Sequence, residues 1–128
     1  MTNGVPKTAQ KRYSIGNPPS FSGFAFCESG DKDGSVANFT FAAEPNKSKA
    51  YLATLGMKWS DFVPASSSEV EELSRSKSKG WELKAGQSYL VNRYSREWNG
   101  DCLADYMAYV PANKQWQGEV YISMYCQD

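Results

Sequence analysis

The chain contains no histidine. Histidine is the one side chain whose ordinary pKa lies in the neutral range, and it is the commonest general base and metal ligand. Its absence excludes Ser-His and Cys-His nucleophile pairs and most zinc sites. Cysteine is scarce too. Cys27, Cys102 and Cys126 are too few for a disulfide scaffold, and no C-x-x-C spacing suggests a metal. They read as thiols packed like small hydrophobes, with one disulfide plus one remaining thiol as the alternative. No apolar run approaches the ~18 residues of a membrane span. The polar first residues carry no hydrophobic core of a signal peptide. Together these absences give a cytoplasmic expectation and no membrane partner. Net charge is missing as well: 14 Lys+Arg balance 14 Asp+Glu. A neutral chain has no general field to draw in a phosphate backbone, which argues against nucleic acid.

What is present in surplus is aromatic: 4 Trp, 8 Tyr and 6 Phe among 128 residues. Large, rigid, amphipathic rings build both cores and recognition surfaces. A chain of this length forms one domain and buries roughly two-thirds of its unfolded surface.

Residues 1–20 lack periodicity and carry three prolines, two glycines and three basic residues. They read as a mobile or loosely docked arm on a domain of residues 21–128. Lys7, Lys11 and Arg12 form its basic cluster beside Tyr13. Residues 21–28 and 35–43 alternate as strands, with Asp33-Gly34 between them as a hairpin signal. The acidic stretch at 31–35 also resembles a calcium loop. However, setting Gly34 at loop position 6 places Thr40 where the bidentate Glu belongs, so the hairpin is the better reading.

Pro45, Asn46 and Gly56 bracket a helix over 46–55, with Tyr51, Leu52 and Leu55 on one face. Residues 67–79 form a second, exposed helix, opened by a Ser68–Glu71 capping box and followed by Gly80. Residues 81–84, Ala85-Gly86 and 87–96 read as strand, turn, strand. Asn99-Gly100 then turns the chain into 102–110, which the β-forming context favours as a strand over the competing helix. A loop holding Trp116 precedes a last strand over 119–126. The fold class is α+β: a mainly antiparallel sheet, from an N-terminal hairpin and a C-terminal meander, with two short helices between.

If Asn99-Gly100 closes a two-residue turn, Trp98 faces Asp101, Arg96 faces Leu103, Tyr94 faces Asp105 and Leu90 faces Tyr109. Tyr94, Arg96, Trp98, Asp101, Asp105 and Tyr109 then share one face. Rings mixed with charges suit a protein partner or a small polar ligand. The opposite face, with Val91, Ala108 and Val110, serves as the core. Function is therefore expected to be non-enzymatic binding, with no cofactor: no glycine-rich phosphate loop is present. A homo-oligomer that pairs this face with itself is a further option. The alternative is a carboxylate hydrolase of glycan-like substrates, using Glu97, Asp101 and Asp105. That chemistry needs two carboxyls ~5–9 Å apart across a cleft.

Overall fold

The computed structural model describes residues 4–18, 21–31, 34–75, 80–99 and 102–127; the side chains at 21, 31, 96–99, 102–104 and 127 also lie outside the description. The fold is α+β, as its sequence implies. Strands β1 (Phe21–Asp31), β2 (Gly34–Ala43), β3 (Val63–Pro64), β4 (Tyr89–Asn99), β5 (Cys102–Pro111) and β6 (Glu119–Gln127) form one six-stranded sheet in the order β1-β2-β6-β5-β4-β3. Every neighbouring pair is antiparallel. The N-terminal hairpin joins the C-terminal meander through β2 and β6, whose Phe39↔Ile122 and Phe41↔Val120 pairs place apolar side chains together. Residues 102–110 are strand, in keeping with their β-forming context.

Alternation gives the sheet two distinct faces. One carries Ala37, Phe39, Phe41, Tyr106, Ala108, Val110, Val120, Ile122 and Met124, all buried. Helix α2 (Pro45–Thr54) covers it with Tyr51 and Leu52. The Tyr51 ring meets Phe41 edge-on at 5.4 Å and 88°. Burying a side chain of this size contributes ~1.5–3 kcal/mol, so these contacts carry much of the stability. Glu44 caps α2 by accepting from the Asn46 amide at 3.1 Å.

Residues 4–18, set apart as an arm on sequence grounds, complete this core. Helix α1 (Lys7–Tyr13) buries Ala9 and Tyr13, and Val5 and Ile15 are buried beside them. Ala9 and Tyr13 lie four residues apart, so one helical face carries both, and Val5 joins them from just before the helix. Tyr13 is 0 % exposed, and its carbonyl accepts from the Tyr106 hydroxyl on β5.

The second face has its own smaller core. Val70 and Leu73 from helix α3 (Ser67–Ser74) join Trp81, Leu83, Tyr89, Val91 and Tyr109. The α3 cap is Ser66, whose hydroxyl accepts from the Glu69 amide at 3.1 Å, rather than Ser68. Residues 81–84, expected as a strand, are an irregular stretch lying on this face. Trp81 donates its indole N–H to the Ile122 carbonyl at 3.1 Å and packs 5.5 Å from Tyr121, so side-chain anchoring replaces a ladder there.

Two further expectations shift. β1 and β2 pair as far as Asp31↔Gly34, so Gly34 stands inside the ladder rather than in the turn. Glycine is needed there because a Cβ would sit 2.7 Å from the Cys126 carbonyl oxygen. Cys126 is disulfide-bonded and Cys27 is a half-buried thiol, so one disulfide replaces the expected set of packed thiols.

Candidate functional site

The β4–β5 ladder decides where the sequence-derived face residues go. Its partners are Leu90↔Val110, Asn92↔Ala108, Tyr94↔Tyr106 and Arg96↔Ala104, one residue out of step with a two-residue turn at Asn99-Gly100. The ladder is irregular between Arg96 and Asn99, where Asn99 pairs with Cys102. An extra residue in one strand shifts the register, and a shift of one sends every side chain of the partner strand to the opposite face.

Tyr94 therefore shares the helix-covered face with Tyr106, while Asp105 and Tyr109 point to the second face. Tyr94 is 39 % exposed and rests on Gly56, whose φ is +90°. Tyr109 is 1 % exposed beneath Trp81, with ring centroids 6.2 Å apart. Its hydroxyl donates to Glu69 on α3, which also pairs with Arg93. Burial, and then the Glu69 carboxylate, push the Tyr109 phenol well above its ordinary pKa. Tyr109 is thus a structural residue that ties α3 to the sheet. The Asp101 position lies outside the described residues, as do the side chains of Arg96, Glu97 and Trp98. The expected grouping of Tyr94, Asp105 and Tyr109 on one face is corrected by this register, and so is the expected core face. Tyr89 and Val91 lie opposite Tyr106, Ala108 and Val110, not beside them.

Asp105 finds other company. It pairs with Ser95 on β4 and with Tyr125 on β6, and Tyr125 pairs in turn with Val36, which pairs with Ser29. This row crosses five strands on the half of the second face that α3 and Trp81 leave open. Ser29, Ser95, Asp105 and Tyr125 are exposed and Val36 is half-buried. Tyr125 is 39 % exposed, and its ring leans over Gly34, where a Cβ would stand 3.1 Å from the hydroxyl oxygen. Directly opposed residues of an antiparallel pair hold their Cβ atoms ~4.5–5.5 Å apart. Asp105 has no ion pair among the described residues, whereas neighbouring Arg93 is held by Glu69.

The site is thus a flat, polar strip with one open ring and one uncompensated carboxylate side by side. A ring attracts a cation over its face, and a carboxylate accepts two parallel N–H bonds from a guanidinium. Tyr125 escaped the sequence reading. Its signal was the alternation in residues 119–126, which sends Val120, Ile122, Met124 and Cys126 to one face and Tyr121, Ser123 and Tyr125 to the other.

Among the described residues, Trp59 and Trp116 are committed elsewhere. Trp59 stacks on Trp116 at 4.7 Å and 23°, and the Lys49 ammonium lies 4.7 Å from the Trp59 centroid. With contacts on both rings used to join α2 to the β5–β6 loop, this cluster is a clamp. Of the three carboxylates in the hydrolase alternative, the described side chain is Asp105, which lies on the open sheet surface. Among the described residues, no three His, Cys, Asp or Glu side chains gather to hold a metal ion, and no helix is long and apolar enough to cross a membrane.

No protein-family model, curated protein or solved structure matches the chain.

Proposed function

We propose that this is a small, non-enzymatic binding module that uses the open half of its second sheet face to hold an arginine-bearing segment of a protein partner. The observation that carries the reading is the exposed cross-strand pair Asp105↔Tyr125. A guanidinium laid over the Tyr125 ring reaches the Asp105 carboxylate in the same pose. Arginine is favoured over lysine because its planar fork both stacks and binds bidentately. Ser29 and Ser95 along the row offer hydroxyls to the segment's backbone. A flat strip with no enclosing walls suits a peptide or protein surface better than a small molecule. A second copy of the chain is the competing occupant, distinguished by mass in solution.

The disulfide at Cys126 supports work in an oxidising compartment, in place of the cytoplasmic expectation.

The test is selection of random displayed peptides on the folded protein. Arginine should be enriched in the selected peptides, and photo-crosslinking from position 125 should capture them. Selection of peptides without basic residues, or crosslinking that is equal from a control position on α2, would contradict the assignment.

A further inference from the structure

The sheet ends at β3 on one side and at β1 on the other, and the two edges differ. β3 is two residues long and includes Pro64, which has no N–H to offer, and β4 beyond it carries Arg93 and Arg96. Short strands, proline and basic side chains blunt an edge. β1 runs for 11 residues and contains no lysine, arginine or proline. An edge of that kind is a template for another strand.

The ladder fixes which backbone groups β1 presents. The Ala43 amide donates to the Gly118 carbonyl at 3.4 Å, so Ala43 turns its backbone polar groups toward the β6 side. Alternate residues of a strand turn theirs to opposite neighbours. Phe39, Ala37 and Ser35 therefore bond β6, and Thr40, Asn38 and Val36 bond Ala25, Cys27 and Ser29 of β1. Phe26, Glu28 and Gly30 lie opposite Phe39, Ala37 and Ser35, so their N–H and C=O groups point out of the sheet edge. Among the described residues, no group donates to these atoms or accepts from them. The Phe26 ring is half-buried at the rim of the main core. The Glu28 carboxylate is drawn toward α1 by the Tyr13 hydroxyl at 3.1 Å, which leaves the edge open.

We propose that β1 pairs antiparallel with β1 of a second copy, giving a two-fold dimer with one continuous sheet. Charge and shape select this occupant and its register. The charged residues of β1, Glu28 and Asp31, both lie toward its C-terminal end. Parallel pairing would set Glu28 beside its twin, and like charges directly opposed are destabilising. Antiparallel pairing instead sets the acidic end of each strand against the uncharged end of the other. Gly23, at φ +60°, accompanies a register shift between Ser22 and Ala25, so the regular edge begins beyond it. A two-fold axis at position 27 aligns 24–30 with the same stretch of the partner and stops short of that bulge. Phe26 then faces the partner's Glu28, each such pair exchanges two backbone bonds, and no carboxylate directly faces another. So short a ladder buries less than a permanent dimer does, and association is reversible. The contact uses the backbone edge of β1 and leaves Asp105 and Tyr125 untouched, so it does not depend on the strip proposed above.

The experiment is sedimentation and amide hydrogen exchange of the full chain across roughly 10 μM to 1 mM. Mass should rise with concentration from one chain toward two. The amides of Phe26, Glu28 and Gly30 should exchange about tenfold more slowly at the high end than at the low end. Those of Ala25, Cys27 and Ser29 should be slow at both. Glu28→Pro removes an outward N–H without touching the β1–β2 bonds, and it should hold the chain as a monomer. Glu28→Thr loses the same Tyr13 contact but keeps the N–H, and it should dimerise like the parent. Tyr125→Ala should dimerise too, which separates this edge from pairing through the open strip. If Glu28→Pro does not fold, exchange in the parent still decides. A monomer at every concentration would overturn the proposal and leave the edge to a foreign strand. A dimer in which the Phe26, Glu28 and Gly30 amides gain no protection would overturn it as well.

Discussion

The Tyr94 ring lies on the bare backbone of Gly56: a Cβ built at Gly56 would stand 2.5 Å from the ring's Cε2. Gly56 follows α2 with φ of +90°, a conformation that residues with a Cβ adopt at a cost. Contact and conformation therefore demand glycine together. Gly56→Ala should lose about 1–3 kcal/mol, combining left-handed strain with displacement of the ring. Tyr94→Ala in the same background removes the clash and should recover part of the loss. Urea unfolding of the two single variants and the double variant measures this, and strict additivity would contradict the contact.

Tyr109 holds α3 in place. Its hydroxyl and Arg93 share the Glu69 carboxylate, and Val70 and Leu73 supply the apolar contacts of α3. Tyr109→Phe should cost about 1–2 kcal/mol, because a half-buried carboxylate loses one donor. The loss should be local. Amide exchange should accelerate through residues 67–74 and remain slow in β2, β5 and β6. Uniform acceleration would mean that α3 is not a separately anchored element.

Alkaline pH should unfold the protein through its tyrosines. Burial is the main cause that raises the phenols of Tyr13, Tyr51, Tyr89, Tyr109 and Tyr121 above the ordinary value of 10.0, with Tyr13 pushed up to about 12. A phenol raised on folding stays neutral in the native state while its unfolded counterpart ionises. Its stabilisation is complete below pH 10 and is lost as pH rises, for Tyr13 through about 12. Each such group removes about 1.4 kcal/mol per pH unit in that window. Urea midpoints should therefore hold steady from neutral pH to about 10 and then fall steeply. Tyrosinate absorbance from the buried set should appear together with the unfolding signal. Ionisation of all eight tyrosines near pH 10 with the fold intact would contradict the burial described here.

Much of this architecture was legible in the chain. Alternation marked the strands, and Gly56 marked the end of α2, because those signals are local and strong. What escaped depended on longer range. The β4–β5 register turned on an irregularity between Arg96 and Asn99, which local composition does not encode, and one residue of slip moved Asp105 and Tyr109 away from Tyr94. The N-terminal segment looked unstructured because its prolines and lysines diluted the apolar residues Val5, Ala9 and Tyr13, and a helix of seven residues forms only where a sheet is present to cover. Trp81 resembled a strand residue, yet it works as an anchor through a single indole hydrogen bond. In the candidate site, Asp105 was found by sequence and Tyr125 was not. The pairing of β5 with β6 joins them, and it was not derivable from the turn that was read.

The most direct test is the affinity of a selected arginine peptide for the parent protein, Tyr125→Ala and Asp105→Asn, measured by calorimetry beside thermal melts of each. Both side chains are exposed, so the variants should melt within a degree or two of the parent. Each should bind about tenfold more weakly, as expected for the loss of a cation–ring contact or a charge-assisted pair. Replacing the peptide's arginine with lysine should weaken binding to the parent and have less effect on Asp105→Asn. Unchanged affinity in both folded variants would contradict the assignment of this sheet face as the binding surface.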